Sequence, residues 1–546
     1  MNINPIRLLF TALFSLLTTA SFSQIDTKDR DLNYMSSGGA LKPLQSIMDI
    51  RHYTLTLDVD IPNQSISGNT EIDLILSQAT DTLLLDLAHL YTISNITVNK
   101  KKQQFSQVKD LVYIVNADGF KAGKQKIKVD YSGIPPVALN PPWKGGFSWK
   151  TDSTGNPWVI INCQMEGGKV YYPCKDHPSD EPNEGADLYI TAPKDLTVLG
   201  PGLLKEIKPK GDKKTTHWKT NYTISNYCIL FNIGKYVKLS KNYTTVDGNT
   251  VPIDVYVLEE DKQQAQKLLE LKERDTRVLE KYFGEYPWAK EKIAVAQTPN
   301  YGMEHQTMIT YGDLKTQFHY ERIGDQDYSA NLFHEYGHEW FANKVTNKDW
   351  AHMWIQEGID TYSEALFCRE AAGERGYDSM MAMLKNGIRN KKPIVQGEAV
   401  NTIDTYTGDI YSKGAFFMHM LRCVMGDDLF FPTLKKLATD TNYTYSHFVT
   451  TDDVEKLFSN AYGKDLKPMF DLYLRTTDLL KVNIHQAGFQ KYNISIPNLP
   501  VALPVDIITG EGVQHMVLKE KTFIITSSTP PVIDAKGNYL KQVSSD

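Results

Sequence analysis

Two hydrophobic periods divide the chain. From His52 to Val237 apolar and polar residues largely alternate, as in Tyr53-Thr54-Leu55-Thr56-Leu57-Asp58-Val59 and Ile127-Lys128-Val129-Asp130-Tyr131. Successive side chains of a strand point to opposite faces, so these runs predict half-buried β-strands. Clusters such as Gly133-Ile134-Pro135-Pro136 punctuate them into a β-rich unit. Near Lys262 the period changes. Over Gln263 to Phe283, Ala265, Leu268, Leu269, Leu271, Val278, Leu279 and Phe283 recur at helical spacing, and Gly284-Glu285-Tyr286-Pro287 ends the run. A short strand is predicted over 292–297, then a helix over 329–343 with Ser329 as N-cap, and helical segments dominate to about Arg475. Beyond Lys481 alternation returns, as in Tyr492-Asn493-Ile494-Ser495-Ile496, and predicts a small β-domain.

At 546 residues the chain is long enough for several domains. Arg7, the uncharged apolar run Leu8 to Phe22, and the small residues Ser21 and Ser23 predict a secretory signal peptide cleaved before Gln24. That run falls short of the ~20 residues a spanning helix needs, and no other stretch is long and apolar enough. A periplasmic or secreted protein with no membrane span after cleavage is expected. The net charge of −6 comes without a basic block, which argues against a nucleic-acid partner. Five cysteines, none in C-x-x-C spacing, argue against a disulfide framework and leave a single pair open. The expected division is a signal peptide over 1–23, an N-terminal β-domain over 24–250, a catalytic domain over 251–478 and a C-terminal β-domain over 479–546.

The chemistry is concentrated in His334-Glu335-Tyr336-Gly337-His338. Residues four apart share one face of a helix, so both imidazoles can reach one ion. An H-E-x-x-H pattern alone also fits an ordinary helix with two satisfied histidines. With eighteen residues between, Glu357 of Trp354-Ile355-Gln356-Glu357-Gly358 supplies a carboxylate on a second predicted helix. Two histidines and a later carboxylate make the ligand set of a catalytic zinc site with its fourth position open to water. Glu335, between the histidines, is then the candidate general base.

These segments resemble the zinc-dependent gluzincin aminopeptidases of the aminopeptidase N and leukotriene hydrolase type. Tyr301-Gly302-Met303-Glu304-His305 is similar to that family's G-x-M-E-N loop, and Tyr411-Ser412-Lys413-Gly414 to its Y-E-K-G segment. Gln164-Met165-Glu166 resembles its Q-x-E segment, and Phe283-Gly284-Glu285-Tyr286-Pro287 its F-G-x-Y-P. The resemblance implies a multidomain α+β fold: a saddle-like β-rich N-terminal domain, a thermolysin-like, mostly helical catalytic domain, and here a short C-terminal β-domain in place of the family's large helical one. It implies one Zn2+ held by His334, His338 and Glu357. Tyr411 would stabilise the oxyanion and Tyr406 would line the pocket. Glu304, then Glu166 with Gln164 beside them, would bind the substrate's α-ammonium. The backbone of Tyr301, Gly302 and Met303 could pair with an extended peptide. Tyr301, His305, Glu339, Ala342 and Gln356 depart from the family's usual residues.

The reading that follows is a zinc metallo-aminopeptidase acting on peptides with a free N-terminus. Epoxide hydrolysis on the same zinc, a catalytically inactive binding module of this fold, and an endopeptidase are the alternatives. An inactive scaffold has no need of a base, three ligands and Glu304 together. An endopeptidase needs the space that Glu304 and Glu166 are expected to occupy.

Overall fold

The computed structural model of the protein describes residues 35–312 and 318–545, so the expected leader over 1–23 lies outside the described residues. In the N-terminal half the alternating segments pair into sheets. Strands β1 (Met48–Asp60), β2 (Ser65–Leu76) and β3 (Gly123–Gly133) lie side by side in an eight-stranded sheet. β1 buries Ile50, Tyr53, Leu55, Leu57 and Val59, the apolar members of its alternation. Next in the chain, β4 (Gly146–Thr151) and β5 (Pro157–Asn162) form an antiparallel hairpin in a separate four-stranded sheet. β5 buries every residue from Trp158 to Asn162, which is why it reads as a continuous apolar run. β6 (Ala186–Pro193) returns to the large sheet parallel to β1, with Leu55 opposite Leu188.

The catalytic half begins with β7 (Tyr236–Thr244), β8 (Thr250–Leu258), α1 (Gln264–Phe283), β9 (Ile293–Gln297) and β10 (Ile309–Tyr311). The four strands make one sheet, β7 antiparallel to β8 and the others parallel. The boundary expected at 250 therefore cuts the β7–β8 hairpin. Period two continues unbroken from one domain into the next, so it cannot mark which sheet a strand joins.

Helix α1 buries Ala265, Leu268, Leu269, Leu271, Leu279 and Phe283, and Gly284 ends it at φ 84°. Two of its buried polar side chains, Lys272 and Thr276, reach α2 (Ala330–Gly337). Lys272 pairs with Asp275 at 3.2 Å, donates to Leu332 O at 3.2 Å, and sits 3.9 Å from the centre of the Tyr336 ring. The Thr276 and Tyr336 hydroxyls share a 2.7 Å hydrogen bond. Helix α2 is shorter than the expected 329–343. After His338 the chain turns, Asn343 N bonds to His338 O, and Ala342 takes φ 148°. The turn buries Trp340 and sets Phe341 edge-on to Phe283. That burial overrides the helical pattern.

Two longer helices follow, α3 (Trp354–Gly387), interrupted at Ala372 and Gly373, and α4 (Gly408–Met425). They touch at Gly358 and Gly414. A Cβ on Gly358 would fall 2.7 Å from Gly414 Cα, and one on Gly414 would fall 2.8 Å from Gly358 Cα. Only hydrogen fits there, and the residues next to these glycines include Glu357 and, one turn from Gly414, Tyr411. The tail from Leu480 forms two small sheets of four and three strands. Among the described residues no helix is long and apolar enough to cross a membrane.

Gly414→Val should therefore force α3 and α4 apart and destabilise the protein by about 2–3 kcal/mol. Gly408→Ala, where a Cβ meets nothing within 4 Å, should stay within about 0.5 kcal/mol. Urea-unfolding midpoints of the two variants decide this. Equal midpoints would mean the crossing can relax.

Candidate active site

His334 and His338 stand at the last turn of α2, and Glu357 in the first turn of α3. The two Nε2 atoms are 3.1 Å apart. Glu357 Oε2 lies 3.5 Å from His334 Nε2 and 3.3 Å from His338 Nε2. Among the described residues it has no hydrogen-bond partner. The far side of each imidazole is occupied. His338 Nδ1 is 2.8 Å from Phe341 O, and His334 Nδ1 is 3.1 Å from both Asp360 Oδ2 and Glu364 Oε1. An acceptor at Nδ1 fixes the tautomer with Nε2 free to ligate.

The spot favours positive charge. Burial opposes protonation of His338, yet Asp360 and Glu357 hold its pKa up at about 10. A tetrahedral zinc with ligands about 2.0–2.1 Å away spaces its ligand atoms roughly 3.3 Å apart. The observed separations bracket that spacing, so the triad fits one metal ion.

Glu335 faces the same cavity, a space of about 490 Å³. Asn331 Nδ2 donates to its Oε1 at 2.8 Å. Burial pushes its carboxyl up to about 8, the two imidazoles opposing and Glu304 and Glu357 adding to the rise. A divalent cation in the triad favours the carboxylate form. The loop from Tyr301 to Glu304 runs beside it, with Met303 paired through its backbone to Thr310 on β10. Gly302 has to be glycine, because a Cβ there would meet Asn331 Oδ1 at 2.4 Å and Glu335 Cγ at 2.9 Å. Gly337 is similarly constrained, since a Cβ would lie 1.8 Å from Asp360 Oδ1.

Glu304 is buried, and burial raises its pKa. Its Oε1 accepts from Gln164 Nε2 at 2.5 Å and from Tyr227 Oη at 2.9 Å. Asn343 Nδ2 donates to its backbone carbonyl. The Tyr411 ring lies 5.7 Å from that of His334, tilted by 33°, and its hydroxyl shares a hydrogen bond with Tyr406. All of these expected site residues line the cavity; Glu166 does not. Its Oε1 accepts from Gly145 N at 2.8 Å, its Oε2 has no hydrogen-bond partner among the described residues, and burial pushes its pKa up to about 7.

Several residues escaped sequence reasoning. Asp360 and Glu364 follow Glu357 at i+3 and i+7, an acidic stripe on one helix face that was there to be noticed. Asn331 stands one turn before Glu335 in the same way. Glu339 is buried and accepts from Trp288 Nε1 at 2.6 Å and Thr307 N at 2.8 Å, so it ties down the chain beyond Glu304. Tyr227 and Trp143 arrive from the N-terminal domain and carry no local signal.

Asp360→Asn should lower metal affinity by about 10–100-fold while leaving all three ligands in place. Competition against a chromophoric chelator measures it; unchanged affinity would remove Asp360 from the support of the metal.

Comparison with known proteins agrees with this geometry. The Peptidase M1 N-terminal domain matches residues 50–228, and the Peptidase family M1 domain matches residues 268–473. Aminopeptidase 2, mitochondrial, from Saccharomyces cerevisiae is 26% identical over 469 residues, covering 80% of this chain and 47% of its own length. The Alanine/arginine aminopeptidase of the same yeast is 26% identical over 454 residues, covering 78% of this chain and 51% of its own length. The chain thus spans about half the length of the curated relatives it matches. Among solved structures, an M1 zinc metallopeptidase from Deinococcus radiodurans superposes with a TM-score of 0.61 at 21% identity, over 80% of this chain and 93% of its own. A mutant M1 zinc metallopeptidase from that organism, bound to a Tyr-Ser-Ala substrate, reaches 0.65 at 21% identity, over 82% of this chain and 97% of its own. These structures share the fold: a β-rich N-terminal domain followed by a mostly helical catalytic domain. With both M1 domains present in order and together spanning well over half of its residues, the chain belongs to peptidase family M1.

Proposed function

We propose that the protein is an exported zinc aminopeptidase that removes the first residue of peptides with a free N-terminus. One observation carries the reading: a metal-binding triad, a buried carboxylate base and a second buried carboxylate, Glu304, open onto one cavity. The names of the relatives, and the tripeptide bound in a structural neighbour, support it.

A bound zinc supplies a Lewis acid for the scissile carbonyl and lowers the pKa of water to about 7. Glu335 takes the proton from the attacking water and passes it to the leaving amine. The Tyr411 hydroxyl donates to the oxyanion that forms after attack, and Tyr406 steadies that hydroxyl. Glu304, with Gln164 and Tyr227 fixing its carboxylate, receives the substrate's α-ammonium. The edge formed by Tyr301, Gly302 and Met303 offers backbone groups to an extended peptide. Glu304 closes the space that upstream residues of an endopeptidase substrate would need. The presence of ligands, base and amine acceptor together supports an active enzyme over an inactive module.

Glu335→Gln should retain one zinc per chain and lose about 10²–10⁴-fold in kcat, since it removes the base and no ligand. Elemental analysis and turnover of the same preparation test this together. Near wild-type turnover would reassign the base.

Free-amine peptides should be cleaved far faster than their N-acetylated counterparts, and a strong chelator should abolish both rates. Acetylation removes the cation and leaves a buried carboxylate facing a neutral group. Glu304→Ala should narrow the gap by slowing the free-amine substrates most. Matched kcat/KM values decide it. Equal rates for free and acetylated peptides on the wild type would overturn the aminopeptidase reading and leave a generic metallohydrolase.

A further inference from the structure

Trp143 and Tyr301 meet on the lining of the cavity, ring centres 5.7 Å apart and planes 31° from parallel. Trp143 keeps 39% of its surface exposed. Because both rings line the cavity, the open part of the indole is apolar, aromatic surface presented to whatever enters it. Neither side chain has a part in the chemistry described above, where Tyr301 contributes only its backbone, and Tyr301 stands where the resembling loops carry glycine.

The surrounding contacts hold this pair in place. Trp143 belongs to the loop entering β4, and Gly146 at the start of β4 pairs with Asn162 at the end of β5. Two residues beyond Asn162 is Gln164, which donates to Glu304. Asn300, the neighbour of Tyr301, donates to Asn162 Oδ1 at 2.8 Å and to Ser148 Oγ at 3.1 Å. The two loops are thus cross-braced beside the proposed amine acceptor. Glu166 completes the brace through Gly145 N at 2.8 Å. Gly145 itself has no room for a side chain, since a Cβ would fall 2.1 Å from Asn162 O and 2.6 Å from Glu166 Oε2.

We propose that Trp143 and Tyr301 form the wall that receives the side chain of the substrate's first residue, selecting aromatic and long apolar residues over alanine and glycine, and that Glu166 is a positioning residue for this wall and not a ligand of the amine. The proposal rests on the aminopeptidase reading and specifies its substrates. An amine seated at Glu304 and Gln164 puts the first side chain next to the loop braced at Asn162. Two tilted rings offer that side chain flat and edge-on contacts, which aromatic groups favour. An isolated methyl group gains little from them.

The test compares Phe-Ser-Ala with Ala-Ser-Ala on the full-length protein, by kcat/KM and by calorimetric binding to the Glu335→Gln protein. The wild type should favour the Phe peptide by about tenfold or more. Trp143→Ala and Tyr301→Gly should each bring the ratio to within about threefold. Glu166→Ala, which drops the Gly145 loop, should collapse the ratio as Trp143→Ala does. Glu166→Gln keeps an acceptor for Gly145 N and should preserve it. Two results overturn the wall: a flat ratio in the wild type, or a ratio indifferent to both aromatic substitutions. If Glu166→Gln erases the discrimination between free and acetylated peptides and leaves the Phe-to-Ala ratio intact, Glu166 binds the amine and its positioning role falls. Cleavage of free-amine peptides with a flat first-residue profile sinks the wall and spares the aminopeptidase reading. Absence of any cleavage sinks that reading, and the ratio of binding constants still decides the wall.

Discussion

His334 Nε2, His338 Nε2 and Glu357 Oε2 converge to within 3.5 Å of one another in a place largely closed to solvent. Three electron-rich atoms so close are mutually repulsive unless a cation sits among them. The rest of the catalytic domain has to hold that arrangement, because a site that relaxed would lose the spacing a tetrahedral ion requires. Asp360 and Glu364 do this from behind, by fixing the rotation of the His334 ring. Phe341 O does the same for His338.

Holding the ligands also constrains the backbone. His334 lies on α2, His338 caps its C-terminal end and Glu357 lies on α3, so the distance between the helices sets the triangle. Gly337 lets Asp360 reach in against α2, and Gly358 lets α3 lie on α4 at Gly414. The second contact brings Tyr411 to His334 without any long side chain intervening. On the opposite side, Lys272 and Thr276 of α1 grip Tyr336 and the carbonyl of Leu332. The motif's unassigned positions, Tyr336 and Gly337, are thus packing requirements of the metal geometry.

The substrate side of the cavity is built across two domains. Glu304 belongs to the catalytic domain, but Gln164 and Tyr227, which orient its carboxylate, come from the N-terminal one. The same holds for Asn300 and its partners Asn162 and Ser148. A hydrogen-bonded, buried carboxylate cannot move without leaving donors unsatisfied. The domain interface is therefore part of the cavity wall and tolerates little sliding.

Taken alone, the sequence determined the features that depend on local spacing. Period two marked the strands of both β-regions, the spacing from Ala265 to Phe283 marked α1, and His334, His338 and Glu357 declared a metal site by their offsets. Such features survive in one dimension because they follow from helix and strand geometry. Tertiary structure decided what depends on contacts between distant segments. It ended α2 at Gly337, where Trp340 and Phe341 turn into the core. It joined β7 to the catalytic sheet across the expected domain boundary. It took Glu166 out of the cavity and set it on Gly145, and brought Trp143 to Tyr301. No periodicity encodes these, because a side chain's partner across a domain interface is fixed by packing in three dimensions and not by its neighbours along the chain.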